Sequence, residues 1–316
     1  MRPFDFLELP RSKGAALISA LLTVALATLL ASQLISTQGA AIENLFGRRE
    51  LSQARWLARG AADWARAILA EDARTSRIDH LGEPWTIKVP PIPIQSGENQ
   101  DTKEGELSGE INELDGRFNL NRLTSAGVAD PSQIDVFSRL LVQVGVSATD
   151  SAHLAKALAD WMDNDQITAE GASEVSTYGI PLENLPLLGT GTLARVPGYS
   201  FALANKVQPF VCALPRRRPV NLNTAPIEVL MAELPVLSLS EAQRILSERE
   251  RAPFRDLADF SSRFPGLGPT SNFGVSSSYF MATTRASYGQ SVVQLRTLLY
   301  RTDGNDWPEI LWQQML

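Results

Sequence analysis

Between Lys13 and Glu43 the chain carries no charged residue, and positions 15 to 35 read AALISALLTVALATLLASQLI, an apolar run relieved only by Ser, Thr and Gln. At 1.5 Å per residue such a helix is about 31 Å long, close to the thickness of a bilayer's hydrocarbon core. The run predicts a membrane-spanning helix. Beyond it the pattern changes without breaking: Leu57, Ala61, Trp64 and Ile68 recur at i, i+4, i+7 and i+11, while Arg48, Arg49, Glu50, Arg55, Arg59 and Asp63 hold polar positions around them. One helix is therefore predicted from Ala15 to about Ala73, its apolar stripe passing through Trp64.

Residues 75 to 105 are rich in Pro, Gly and polar side chains and predict a connector, with one short strand near Trp85 to Val89. LSGEINEL and RFNLN flank Asp115-Gly116, a dipeptide suited to a two-residue type I′ turn, which predicts a β-hairpin over 107 to 121. Asp130-Pro131-Ser132-Gln133 has the form of a helix start, with Asp as N-cap, Pro at N1 and Gln at N3. Ile134, Phe137, Leu141 and Val144 supply its buried stripe, and Gly145 ends it. Asp150 is the expected cap of a second helix packing through Leu154, Ala157, Leu158 and Trp161, with His153 as a surface residue of its first turn. Two β-rich runs, SYFMATTRASY and SVVQLRTLLYR, meet at Gly289 and should pair. A long helix, strands on both sides of a helical block and antiparallel pairing predict an α+β fold.

Charge and composition narrow the functions. With 35 acidic against 29 basic residues the net charge is −6, so the chain as a whole has no electrostatic footprint for nucleic acid. A single cysteine, Cys212, excludes an intramolecular disulfide and a cysteine-based zinc or iron-sulfur centre within one chain. No nucleophile elbow, phosphate loop, dinucleotide fingerprint or zincin helix occurs, which predicts a protein that is not an enzyme. Arg11 and Lys13, just before the apolar run, should stay cytoplasmic and place the bulk of the chain outside the cytoplasm. A cleavable secretory signal is the competing interpretation, with small residues near 31 to 41 as its cleavage site. The helical pattern continuing beyond residue 41 weighs against it.

A basic leader ending in Gly14, the small apolar start Ala15-Ala16-Leu17-Ile18 and a single long helix resemble the class III leader of type IV pilins and type II secretion pseudopilins. The resemblance implies a prepilin leader, residues 1 to 14, cut by a prepilin peptidase after Gly14, and methylation of the new N-terminus at Ala15. Most members carry Glu at the fifth mature position, where this chain has Ser19. Its loss, the size of the chain and the landmarks DGRFNLN, DWMDND and VNLNTA resemble the K-type minor pseudopilins. That family implies a pilin-like fold, a long N-terminal helix packed on an antiparallel sheet, with a large inserted α-helical domain. The corresponding expectation is a membrane part at 15 to 35, a first pilin-like part at 36 to 121, an inserted domain at 122 to 275 and closing strands at 276 to 316. It also implies single-pass residence in the inner membrane with the C-terminal bulk in the periplasm, other minor pseudopilins as partners in a hetero-oligomeric filament tip, and no nucleic acid.

DWMDNDQITAEGASEVSTY places Asp160, Asp163, Asp165, Glu170 and Glu174 within fifteen residues. Such a loop is either solvated and screened or holds a hard divalent cation through its oxygens. It is not an EF-hand, because Ile167 and Thr168 stand where that loop needs an acid or amide and a glycine. The K-type family binds Ca²⁺ in its α-domain, and Asp160, Trp161, Asp163, Asp165, Gly171, Ala172, Glu174 and Tyr178 are similar to its ligand segment. The resemblance implies Asp163, Asp165 and Glu174 as calcium ligands, joined by Asp160 and Glu170.

One rival remains in the sequence. Residues 220 to 251 resemble the helix-hairpin-helix modules of DNA-binding proteins, which would make the chain a membrane-tethered DNA-binding protein. The glycines with which such hairpins approach phosphate are replaced by Val236, Leu237 and Ser238, and Arg244, Arg249 and Arg251 are offset by Glu241, Glu248 and Glu250. The arginine run 216 to 218 is expected to be a surface turn.

Overall fold

A computed structural model describes residues 13–95, 103–164, 186–267, 272–302 and 307–316. Helix α1 spans Lys13–Thr75 without interruption, as the two linked patterns require. Beyond the apolar run it buries the expected stripe in part: Ala61 is buried and Leu57 and Ile68 pack against the cores under the sheet. The most deeply covered positions facing the sheet are instead Ala54, Ala58, Ala62, Ala65 and Leu69, and Trp64 is half exposed. Alanine wins because a helix lying flat on a sheet approaches most closely through its smallest side chains, and this approach lets Thr284 Oγ1 donate to the Ala58 carbonyl at 3.0 Å.

Among the described residues the sheet opposite α1 has five antiparallel strands, in the spatial order 89–95, 103–113, 279–288, 291–300 and 309–315. Strand β1 is Val89–Gln95 and β2 is Lys103–Glu113. Four two-residue strands follow: β3 (Phe118–Asn119), β4 (Thr124–Ser125), β5 (Val128–Ala129) and β6 (Val211–Cys212). Two more, β7 (Val220–Asn221) and β8 (Phe273–Gly274), pair with each other, and β9 (Tyr279–Tyr288), β10 (Ser291–Tyr300) and β11 (Glu309–Met315) complete the main sheet. β9 and β10 form the expected hairpin, turning at Gly289 with φ +56°. Alternation sends Leu295, Thr297 and Leu299 toward α1 and leaves Arg296, Leu298 and Tyr300 on the outer face. The strand expected near Trp85 begins at Val89 instead. Its prolines 90, 91 and 93 are tolerated because β1 is an edge, where an absent N–H costs no ladder bond.

The hairpin expected at Asp115-Gly116 is absent. β2 pairs with β1 and β9, and β3 runs parallel to β6. The dipeptide is held by other partners: Gly116 N donates to the Glu113 carboxylate at 2.8 Å, and Asp115 accepts from Ser278 N and Tyr279 N. It is a corner where the chain leaves the sheet for the helices.

Among the described residues six α-helices lie between β5 and β9: α2 (Pro131–Gln143), α3 (Ala148–Met162), α4 (Phe201–Val207), α5 (Ile227–Glu233), α6 (Leu239–Arg251) and α7 (Leu257–Arg263). Asp130 caps α2 by accepting from Ser132 N and Gln133 N, and Gly145 follows at φ +84°. The cap of α3 is Ser147 rather than Asp150, whose own N–H donates to the Ser147 hydroxyl. Asp150 instead adds negative charge to the first turn, where the helix dipole favours it. Phe118, Phe137, Leu140, Leu158, Leu230, Ile245 and Phe254 share one apolar core, while α1 and the sheet hold separate ones.

Candidate functional site: an exposed rod, an acidic loop and a carboxylate junction

The first half of α1 is a free rod. Leu17, Ile18, Leu21, Leu22, Leu29 and Phe46 are all well over half exposed, and none of the most apolar 18-residue window is buried. Its few hydroxyls turn inward: Ser19 Oγ donates to the Ala16 carbonyl at 3.0 Å, and Thr23, Thr28 and Thr37 donate likewise to carbonyls one turn back. At these four positions the rod offers lipid or a neighbouring helix a surface whose hydroxyl donors are already met. It is long and apolar enough to cross a membrane. Ala15 stands exposed in its first turns, with Gly14 before it in the same helix.

Of the five acidic residues expected to bind metal, the structure describes two. Asp160 and Asp163 are buried in and just after the last turn of α3, with Asp163 as its C-cap. The chain is pinned there by Asn164 N donating to the Gly127 carbonyl at 2.7 Å. Gly127 has φ +80°, and a Cβ on it would run into the Asn164 side chain. Both carboxylates are thus withdrawn from water at the negative end of the helix dipole. Asp165, Glu170 and Glu174 lie outside the described residues. His153 is exposed, as expected.

The structure also assembles a cluster that sequence reading missed. Arg301, just past β10, donates through Nη1 to Asp72 at 2.8 Å and through Nη2 to Asp79. Asp79 further accepts from Ser277 N at 2.7 Å, and Glu83 accepts from Trp85 Nε1 and His80 N. One oxygen each of Asp72, Asp79 and Glu83 lies within 4.8 Å of the others, close enough for a metal. The Arg301 guanidinium already bridges two of the three, so the cluster is an ion-pair network. Burial pushes Asp72 up to about 6 against the pull of Arg301, and burial likewise raises Asp79.

A second buried pair adjoins it. Glu113 accepts from Ser277 Oγ at 2.7 Å, and Asn221 Nδ2 donates to that same hydroxyl and to the Asp79 carbonyl. Burial first, and the neighbouring Asp115 second, raise the Glu113 carboxyl well above the usual range. The end of α1, the corner after β2, the β7 segment and the approach to β9 are thereby tied at one point. No local pattern could have shown this, since Arg301 and Asp79 are 222 residues apart.

Comparison with known proteins gives this architecture a family. Residues 116–216 match the first domain model, and residues 220–276 a further model, of type II secretion system protein K. The chain is 32% identical to the type II secretion system protein K of Pseudomonas aeruginosa over 307 residues, 92% of this chain and 90% of the relative. It is 30% identical to that of Klebsiella pneumoniae, over 92% of this chain and 93% of the relative. The chain belongs to the type II secretion protein K family. A chain from the crystal structure of the GspK-GspI-GspJ complex of the enterotoxigenic Escherichia coli type 2 secretion system shares the fold. Its TM-score is 0.67 at 21% identity, covering 86% of this chain and 99% of that one.

As a K-type minor pseudopilin, the chain combines a pilin-like helix and sheet with further helices, and the segment that resembled a helix-hairpin-helix module falls inside the second matched region. Two of its three arginines are engaged within the protein K fold. Arg249 Nη1 donates to the carbonyls of Leu222 and Ala225 at 2.8 and 2.7 Å, and Arg244 stacks over the Phe264 ring. Of the run at 216 to 218, Arg217 ties Asp130 to the carbonyls of Arg122 and Thr124, and Arg216 lies over Tyr300. Both are exposed, as expected for a surface turn, yet each braces one segment against another.

Proposed function

We propose that this protein K caps the tip of the periplasmic pseudopilus together with other minor pseudopilins and so supports protein export across the outer membrane. The observation that carries this reading is the division of α1. Its first half is an apolar rod with nothing packed on it, and its last turn is locked by Asp72, Asp79 and Arg301 to the junction from which the helical region rises. A subunit so built joins a helical bundle from below and presents bulk above, which stops regular addition. Ser19 supports the same reading. The subunit at the end of a filament has no neighbour beyond it whose N-terminus needs a carboxylate, and an unpaired one would be costly in lipid. The other pseudopilins are the partners this reading requires, in keeping with the GspK-GspI-GspJ complex in which the fold relative was crystallised. Before assembly, a prepilin peptidase cleaves between Gly14 and Ala15, the new terminus is methylated, and the rod holds the chain in the inner membrane.

Immunogold labelling of the helical region on filaments is the decisive experiment. Label at one end of each filament is expected; label spread along the length would sink the capping role.

Calcium belongs to the same proposal as a structural ligand. Asp160 and Asp163 would hold it with Asp165, Glu170 and Glu174, and binding would order the loop that follows α3. Chelation with EGTA should lower the melting temperature of the intact chain by several degrees and added Ca²⁺ restore it, with Asp163→Asn abolishing the response. A melting temperature indifferent to EGTA in the intact chain would dispose of the calcium site.

A further inference from the structure

The two edges of the main sheet are treated differently. β1 reads VPPIPIQ, and its three prolines deny a ladder to any incoming strand. β11 reads EILWQQM, with neither proline nor lysine, and no strand covers its outer edge among the described residues. Leu316 N donates inward to the Gln294 carbonyl, so by alternation the N–H groups of Gln313 and Met315 point outward. Trp312, Gln314 and Leu316 face a cleft between the outer side of the sheet and the helical region, whose far wall includes Leu188, Thr192 and Cys212.

The charge of this cleft is opposite to that of the chain. Arg117 and Arg296, both half-buried, line it together with the exposed Arg195, and no Asp or Glu is among its described lining residues; the two half-buried arginines are the ones that would face a strand added along β11. Neither arginine has a carboxylate partner among the described residues, although the chain carries six more acidic than basic residues. Elsewhere in the fold the arginines that approach the interior are paired or bonded to carbonyls: Arg122 to Glu233, Arg249 to Leu222 and Ala225, Arg301 to Asp72 and Asp79.

We propose that this cleft binds an extended, acidic segment of a partner protein, which adds as a strand along β11. The main chain of the segment would pair with the outward N–H groups of Gln313 and Met315. Every second side chain would then enter the cleft. A carboxylate there lies two strand spacings, about 10 Å, from the β10 backbone, within combined reach of a glutamate and Arg296. The side chains two positions to either side share that face and lay their methylene stems on Trp312 and Leu316. Backbone pairing supplies affinity and the arginines select charge, the division of labour in strand-addition recognition.

The test uses the full chain in detergent micelles and the fluorescence anisotropy of a labelled, end-blocked heptapeptide alternating glutamate with valine. Saturable binding is expected, with no binding of the lysine-valine counterpart. Arg117→Gln with Arg296→Gln should weaken the acidic peptide at least tenfold at unchanged melting temperature, and Met315→Pro, which removes an outward N–H, should do the same. Absence of saturable binding, equal binding of both peptides, or retention of full affinity by the glutamine double variant would each overturn the proposal. None of these outcomes touches the capping role, which the filament label reads separately.

Discussion

Glu113 is the side chain whose burial has the clearest thermodynamic consequence. Its carboxyl is enclosed beside Asp115 and close to Asp79, and each of the three is raised above the ordinary carboxylate value, with burial as the first cause; Asp72 joins them at about 6. A carboxyl with a folded pKa above its unfolded one binds more protons in the native state, so stability falls as pH rises through the interval between the two values. For Asp72 that interval runs from about 4 to about 6, and Glu113 extends the loss further upward. The melting temperature should therefore decline from pH 5 to pH 8. Glu113→Gln keeps an oxygen for Gly116 N and Ser277 while removing the charge, so it should melt higher than the wild type at pH 8 and show a flatter pH profile. A steeper profile in the variant would refute this account. Arg301 gives the converse experiment, because removing it leaves Asp72 and Asp79 buried without their counter-charge. Arg301→Met should cost about 3–5 kcal/mol in urea denaturation, the usual penalty for breaking a buried pair from one side.

Among the elements, α1 shows how far hydrophobic periodicity reaches. Its length was legible, since an apolar run followed by a helical repeat lacks any Pro, and the β9-β10 hairpin was equally open in its alternation about Gly289. The face of α1 was legible only in part, because Leu57 and Trp64 outweigh alanine on any hydrophobicity scale while the close approach of helix to sheet selects for small size. Asp115-Gly116 misled for a related reason: turn chemistry is local, and here Asp115 is held by Ser278 and Tyr279, more than 160 residues away, while Gly116 binds back to Glu113. The acidic segment was legible as a candidate, of which the described residues hold Asp160 and Asp163, both buried at the end of α3, whereas the Arg301 network joins residues no spacing rule connects. The alanine face makes its own prediction. Ala58 has no exposed surface and its carbonyl accepts from Thr284, so Ala58→Leu must push the helix off the sheet and should destabilise the fold by about 1–3 kcal/mol. Trp64→Ala, half exposed on the same helix, should cost less, and equal losses would show that the buried face has been misassigned.

At the scale of the molecule, the rod and the folded body are energetically separate. No side chain of the most apolar stretch is buried, the first fully buried residue along α1 is Ala54, and the earliest tie to the sheet is Glu50, whose carboxylate accepts from Gln290 N at 2.9 Å. A chain beginning at Glu43 retains every one of these contacts, so removing residues 1 to 42 should change stability by less than about 1 kcal/mol and shift the melting temperature by no more than about 2–4 °C. Extending the truncation through Ala58 takes away Glu50, Ala54 and Ala58 together and should leave the α1-sheet core open to water, with a much lower melting temperature. The shorter truncation should also remain in solution without detergent and fail to enter filaments, because the surface it lacks is the one exposed for lipid and for sibling helices. A strong loss of stability on removing residues 1 to 42 would mean that the rod folds back onto the body. That would contradict the division of α1 on which anchoring, assembly and capping all depend.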